Sequence, residues 1–311
     1  MDILTGLLTT AFLAGGVLAL AALGEVLAER VGVVNLGVEG LMAMGAITGI
    51  ATVTSVPSPM LGFLAALVVG ALFGMLFAAA TVLLRANQVL CGLALTLMGT
   101  GLASTIGRNY SGMPAPVTFE PVQIPLLSQI PILGPAFFSQ NILVYLIYLV
   151  LPIFFSFLMF STRHGLNMRA VGENPAAADA AGIPVNLMRF SYVTIGSALA
   201  AGAGAYLTLA FVPSWSDGVV AGRGWIAVAL VIFAGYRPIM AALSGLLFGL
   251  ITALGFIGQA RGWPVAPAFL SMLPYLGTVA FIIVPVLAWQ KMRRAMAAPA
   301  ALSVPYFRDM R

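Results

Sequence analysis

Long apolar runs separated by short polar stretches make up most of this chain. Most of the runs approach the roughly 20 residues that a helix needs to cross the hydrocarbon core of a membrane. The pattern predicts nine apolar segments, at residues 3–28, 38–54, a third that ends at 84, 89–106, 141–160, 190–212, 224–235, 239–257 and 268–289. Because the seventh segment has only about twelve residues, we expect a short or broken helix there.

Composition supports the same fold class. Of the 311 residues, 61% are hydrophobic and only 7% are charged, whereas charged residues make up about 25% of a soluble domain. We therefore predict an all-α protein, a polytopic transmembrane helical bundle of about nine spans. Residues 1–295 are expected to form the transmembrane domain, with a proline-rich loop at 108–140 on one side and a polar loop at 161–189 on the other, and residues 296–311 to form a tail.

The basic residues predict the orientation. Nine crossings with the N-terminus outside place 11 of the 14 Lys and Arg residues inside and leave only Arg108, Arg223 and Arg261 outside. Because basic residues concentrate on the cytoplasmic side of membrane proteins, this distribution favours N-out and C-in, with a cytoplasmic tail. A re-entrant segment at 224–235 would move residues 291–294 outside, so the same rule favours a full crossing.

The polar loop at 161–189 contains the signals of a short helix. Asn174 is an N-cap residue, Pro175 suits the first helical position, and the alanines after it favour helix. Gly182 can adopt the left-handed conformation that ends a helix, and Pro184 prevents the helix from resuming. The pattern predicts a helix of about two turns, Pro175 to Ala181, too short to be stable alone. Either the flanking spans or a partner protein must hold it; a simple connecting turn is the alternative.

Residue types needed for enzyme chemistry are scarce. The single His, His164, and the single Cys, Cys91, exclude an internal disulfide and a His/Cys metal cluster. The pattern GxxxxGK[ST] does not occur, and the only lysine is Lys291 in the tail, so the chain cannot hydrolyse ATP by that mechanism. We predict no catalytic residues, no metal and no cofactor, and we interpret the net charge of +5 as membrane topology rather than nucleic-acid binding.

Five polar residues, Glu25, Glu29, Arg30, Asn35 and Glu39, lie between the first two apolar segments. Charges so close to a membrane are costly unless they are paired or face water. One interpretation is that Glu29 and Arg30 mark the membrane boundary and pair with each other. Asn35 and Glu39 are four residues apart and share a face if the segment is helical. They either line a polar translocation pathway or hydrogen-bond a neighbouring helix.

Three runs together resemble a known family: GEVLAERVGVVNLGVEGLMAMGA, VGENPAAADAAGIPVNLMRF and GRGWIAVALVIFAGYRPIMAALSGLLFG. They are similar, in order and over most of the chain, to the permease subunits of ABC importers of the branched-chain amino acid, ribose and nucleoside type. Residues 124–146, IPLLSQIPILGPAFFSQNILVYL, are most similar to the shorter permease of nucleoside importers.

The resemblance implies a non-catalytic subunit of an ATP-driven importer in the bacterial cytoplasmic (inner) membrane. It would form the pathway for a small polar solute, with nucleosides the first expectation and ribose-type sugars or branched-chain amino acids the alternatives. The implied partners are a separate ABC ATPase, a second similar permease in a heterodimer, an extracytoplasmic substrate-binding protein or lipoprotein, and membrane lipid. A stand-alone secondary transporter is the rival reading, but ionisable residues are almost absent from the spans after Glu39.

The resemblance also assigns a role to the short helix. In such permeases a cytoplasmic coupling helix with the motif Ala-Ala-Gly docks on the ATPase, and Ala180, Ala181 and Gly182 match that motif. Asp179 stands where many members have Glu, a mild change because both carry one carboxylate. The expected coupling residues are Gly172, Asn174, Pro175, Asp179, Ala180, Ala181, Gly182 and Ile183. Asn35 and Glu39 are the expected pathway residues.

Overall fold

The computed structural model describes residues 3–288 and 297–308, without the side chains of 281–282 and 284–288. Helices are its regular elements. The first seven α-helices are α1 Ile3–Arg30, α2 Val38–Ser55, α3 Pro59–Ala78, α4 Gln88–Gly107, α5 Leu133–Phe137, α6 Ile142–Tyr145 and α7 Leu151–Ser161. The other six are α8 Arg163–Glu173, α9 Pro175–Ala180, α10 Val185–Tyr206, α11 Arg223–Phe233, α12 Pro238–Ala260 and α13 Pro267–Ala288. Single π-helical turns extend α3 and α10 and join α6 to α7.

The fold class is confirmed as a polytopic helical bundle. Within the described residues, seven helical segments are long and apolar enough to cross a membrane: Ile3–Arg30, Val38–Ser55, Pro59–Leu83, Gln88–Tyr110, Ile142–Ser161, Val185–Phe211 and Pro238–Ala260. The remaining two predicted segments correspond to the short apolar helix α11 and to α13, which is apolar over Pro267–Ala280. Nine crossings and the N-out, C-in orientation remain predictions. Four basic residues used for the orientation, Lys291, Arg293, Arg294 and Arg311, lie outside the described residues.

Helix α1 forms the centre of the bundle, where residues 14–29 are all buried. Glycines allow its neighbours to approach backbone to backbone. A Cβ at Gly24 would overlap the carbonyl oxygen of Gly196 on α10, and one at Gly45 on α2 would overlap that of Ala201. Such small-residue contacts are a main source of helix association in membranes, where the lipid is as apolar as the side chains.

Two helices, rather than one, fill the polar loop at 161–189. Helix α9 ends one residue earlier than predicted, at Ala180. Helix α8 was not predicted; Thr162 is its N-cap, and the hydroxyl oxygen of Thr162 accepts a hydrogen bond from Gly165 N at 3.0 Å. We call the end of the bundle that carries α8 and α9 the α9 end, and the end that carries the loop at 108–140 the opposite end. The loop at 108–140 has one short helix, α5, along with two 3₁₀ turns.

Candidate functional site

Helix α9 has the local structure that its sequence predicts. The side-chain oxygen of Asn174 accepts a hydrogen bond from Ala177 N at 3.0 Å, and Pro175 occupies the first turn. Gly182 has φ of +80°, a left-handed conformation that residues with a Cβ rarely adopt. At the same turn, Ile183 N donates to the carbonyl oxygen of Ala178 at 3.0 Å. These bonds satisfy backbone groups at both ends of a helix of only six residues.

The residues of α9 and its surroundings differ in exposure. Ala180, Ala181 and Gly182 are exposed and form a surface of small residues at the α9 end. Ala178, by contrast, is buried and holds the helix against the bundle. Gly172 is also buried, and a Cβ there would overlap the carbonyl oxygen of Arg30. A partner could therefore reach the Ala-Ala-Gly surface, whereas Gly172 serves the packing of α8 on α1.

Residues 297–308 of the tail lie against the α9 end, a contact that no sequence pattern predicted. Ala301 N donates to the carbonyl oxygen of Gly172 at 2.9 Å. On the buried side chain of Arg189, Nη1 donates to the carbonyl oxygen of Val304 at 3.0 Å and Nε to that of Val31 at 3.0 Å. These contacts join the tail to α8, α10 and the turn that follows α1.

The last described residues of the tail reach α9 itself. Arg308 Nε lies 3.2 Å from Asp179 Oδ2, and the Asp179 side chain is only 12% exposed. Next to this ion pair, the Arg85 guanidinium lies 4.9 Å from the centre of the Phe307 ring. Asp179 therefore faces the tail, while the small residues after it stay open to solvent.

Asn35 and Glu39 do not share a helical face, because Asn35 precedes α2 in a non-helical turn. Asn35 N donates to Glu25 Oε1 at 2.8 Å, and its side-chain oxygen accepts from Gly37 N at 2.9 Å. Its Nδ2 donates to Ser197 Oγ at 3.2 Å. Asn35 thus fixes the turn between α1 and α2 against α10.

The predicted pair of Glu29 and Arg30 is wrong. Arg30 Nε donates to the carbonyl oxygen of Tyr236 at 2.8 Å, and its Nη2 donates to that of Gly235 at 3.3 Å. Glu29 is buried on another side of α1, and its Oε2 has no hydrogen-bond partner among the described residues. Helix α1 continues to Arg30, and adjacent residues on a helix do not face each other. Tyr236 lies between α11 and α12, where burial raises the pKa of its hydroxyl to about 12.

Glu39 binds the beginning of α11. Its Oε1 accepts a hydrogen bond from Gly222 N at 2.7 Å, and its Oε2 accepts one from Gly224 N at 2.8 Å. A carboxylate at this place satisfies N–H groups that have no partner inside the helix and opposes the positive end of the helix dipole.

Helix α11 covers only about half of the bundle. Its end lies at the α9 end, since the carbonyl groups of Gly235 and Tyr236 bind Arg30. Eleven residues span about 16 Å at 1.5 Å per residue, against a hydrocarbon thickness of about 30 Å. Non-helical residues 212–222 connect it to the opposite end, where Ser111 bridges to Trp215. Arg223, which the crossing count placed outside, therefore begins a helix inside the bundle.

A cavity of about 290 Å³ lies beside the beginning of α11. Helices α1, α11, α12 and α13 contribute its walls, and Phe211 and Ala221 flank the non-helical segment. Its polar lining residues are Arg223, Thr252, Gln259, Ser271 and Tyr275. The structure thus places two candidate sites on the chain: the small-residue surface of α9, and this cavity at the broken helix. Neither the cavity nor the tail contacts had a signal in the sequence that we recognised.

Comparison with known proteins gives consistent matches. A family model described as the permease component of a branched-chain amino acid transport system matches residues 7–284. A candidate glucose ABC transporter permease protein of Haloferax volcanii is 38% identical over 333 residues, covering 100% of this chain and 100% of the relative. No solved structure matches the chain significantly.

Two further relatives have names that refer to nucleosides. A nucleoside ABC transporter permease protein of Lactococcus lactis is 37% identical over 273 residues, covering 84% of this chain and 86% of the relative. A guanosine ABC transporter permease protein of Bacillus subtilis is 33% identical over 306 residues, covering 94% of this chain and 94% of the relative.

Proposed function

Because this chain belongs to the family of permease components of branched-chain amino acid type transport systems, we propose that it conducts nucleosides through the membrane as one subunit of an ATP-driven importer. As an ABC transporter permease it is a multi-pass membrane protein, with seven apolar helices of spanning length in its described part. The observation that carries the choice of nucleosides is the naming of two relatives, for nucleoside and for guanosine, that match most of this chain.

A sugar is the second candidate solute. The glucose-named relative matches the whole chain at 38% identity, and a ribose-type sugar was already the main alternative from the sequence. Competition for uptake separates the two. Cells that express the complete importer should take up labelled guanosine, and unlabelled nucleosides should compete while glucose, ribose and leucine do not. Better competition by either sugar, or no nucleoside uptake, would overturn the proposed substrate.

We further propose that α9 couples the permease to the ATPase. The exposed surface of Ala180, Ala181 and Gly182 supports this role, because a surface of small residues allows close approach of a partner's groove. The tail supports it too, since the ion pair of Arg308 with Asp179 fixes one side of α9. Gly172 and Ile183 would then contribute by holding the helix rather than by touching the ATPase.

The remaining partners and the pathway complete the proposal. We propose a second, similar permease in a heterodimer and an extracytoplasmic substrate-binding protein as the other partners. We place the pathway beside the beginning of α11, with Glu39 and Asn35 at its border. Glu39 supports this place because it binds backbone at the start of the broken helix, and Asn35 binds backbone four residues earlier, in the turn before α2.

A further inference from the structure

We propose that the cavity beside the beginning of α11 is a binding site for the transported solute within this single subunit. The inference rests on the proposed import of nucleosides and adds the place and the groups that would bind them. It concerns the walls formed by α11, α12 and α13, which no sequence pattern assigned to the pathway.

The first support is the irregular backbone at membrane depth. Residues 212–222 run from the opposite end to the middle of the bundle without forming a helix. Non-helical backbone at such a depth is tolerated only where it is buried in protein or lines a water-filled cavity. Transporters commonly use such interrupted spans to bind their solutes near the middle of the membrane. Here Ala221, near the end of the segment, and Arg223, the first residue of α11, both line the cavity.

Side chains around the cavity hold this segment in place. The Tyr275 hydroxyl on α13 donates a hydrogen bond to the carbonyl oxygen of Ala221. Arg223 Nη1 donates to the carbonyl oxygens of Val219 at 2.8 Å and Val220 at 3.0 Å. Cavity-lining side chains therefore bind three carbonyl groups of the non-helical segment and hold it beside the cavity.

Other polar groups of the lining remain free to bind a solute. The Gln259 side chain makes no hydrogen bond with the described residues, and its amide offers both donors and acceptors. The Thr252 hydroxyl donates to the carbonyl oxygen of Phe248 at 2.9 Å, which leaves its lone pairs available as acceptors. Among the lining residues there is no carboxylate to bind a cation, and the one charged group is the Arg223 guanidinium.

Aromatic rings in the lining and the volume of the cavity both restrict which solute can bind. Phe211 and Phe256 lie with ring centres 6.2 Å apart, and Tyr275 adds a third ring to the walls. A volume of about 290 Å³ lies near the lower end of the 300–1,000 Å³ usual for small-molecule sites. The lining offers aromatic rings for stacking, an amide for pairing and hydroxyl groups for hydrogen bonds. Together these groups fit an uncharged solute that has an aromatic base and a sugar. A nucleoside is such a solute.

Protection of a cysteine from labelling tests the site directly. Ser271→Cys, a nearly isosteric change of an exposed lining residue on α13, in a Cys91→Ser background of the complete importer without ATP, should react with an impermeant thiol reagent. Guanosine should slow that reaction several-fold in a saturable manner, while leucine should not. Ser128→Cys, which lies in the loop at the opposite end and outside the lining, is the matched control, and guanosine should leave its labelling unchanged.

A second pair of variants measures the contribution of a single polar group. Thr252→Val removes a hydroxyl from the cavity and should raise the guanosine concentration for half-maximal protection several-fold. Thr278→Val removes a hydroxyl that makes the same kind of bond, to the carbonyl oxygen of Pro274 at 3.0 Å, but does not line the cavity. It should leave that concentration unchanged.

The outcomes separate the site from the substrate. Absence of protection at Ser271→Cys, in a complex that still imports guanosine, would overturn the site and leave the proposed function intact. Equal effects of the two threonine variants would also overturn it. Failure of the proposed function would show differently, as absence of guanosine uptake by the Cys91→Ser complex, with protection by ribose or glucose in place of guanosine.

Discussion

Replacing Glu39 with Leu should destabilise the bundle as well as reduce transport. The carboxylate accepts hydrogen bonds from Gly222 N at 2.7 Å and from Gly224 N at 2.8 Å, and Glu39 is only 9% exposed. A leucine of similar size leaves both N–H groups without a partner. Each buried unsatisfied group costs about 1–3 kcal/mol, so the loss is about 2–6 kcal/mol in total. Loss of a negative charge at the helix N-terminus adds about 0.3–1 kcal/mol.

Thermal unfolding of the purified protein in detergent measures this loss. At about 2–4 °C per kcal/mol, the midpoint should fall by roughly 5–10 °C or more. Glu120→Leu is the matched control, since Glu120 is exposed in the loop at 108–140 and should leave the midpoint unchanged. The unfolding midpoint of Glu39→Gln should lie between those of the wild type and Glu39→Leu. The glutamine keeps one acceptor oxygen, but its amide NH₂ group faces an N–H donor. An unchanged midpoint for Glu39→Leu, with uptake lost, would refute the capping role and leave Glu39 as a pathway residue alone.

Three further predictions concern the α9 end. Gly182→Val should reduce uptake, since a Cβ in the left-handed conformation costs about 1–2 kcal/mol. Gly182→Asn should keep most of the uptake, because Asn tolerates that conformation better. Equal uptake by the two variants would contradict the role of the left-handed turn. Arg308→Glu should lower uptake because the new carboxylate repels Asp179, whereas Arg308→Lys should keep uptake normal. Wild-type uptake by Arg308→Glu would show that the ion pair has no role in transport. Single cysteines at Ser128 and Ala177, in a cysteine-free background, should label from opposite sides of the membrane with an impermeant reagent. Labelling from the same side would contradict the predicted topology.

Features with a local cause were predictable from the sequence. The apolar segments match the helices because a membrane span needs a minimum length of apolar residues. Helix α9 was found because an N-cap at Asn174 and a left-handed Gly182 are signals carried by single residues. The short helix at 224–235 was predicted from length alone and is α11, Arg223–Phe233.

Features that depend on distant contacts were not predictable. Helix α8 contains Gly165 and Gly172, which lower helix propensity but are needed where α8 packs closely on other backbone. Whether Asn35 lies in a helix stayed open in the sequence, because Glu25 and Ser197 set the α1–α2 turn and no local pattern reveals those contacts. The tail contacts also join residues more than 100 positions apart, such as Arg189 and Val304.

Transport by the reconstituted importer is the most direct test of the central claim. The claim is that the chain carries nucleosides and that α9 couples this transport to ATP hydrolysis. Liposomes would contain this chain, its partner permease and the ATPase, with the binding protein added outside, and guanosine uptake and ATP hydrolysis would be measured together. We predict uptake only with ATP, loss of uptake in Ala180→Glu while the ATPase still hydrolyses ATP, and normal uptake in Ser128→Glu at the opposite end. Guanosine uptake without ATP, or wild-type uptake by Ala180→Glu, would contradict the claim that α9 couples nucleoside transport to ATP hydrolysis.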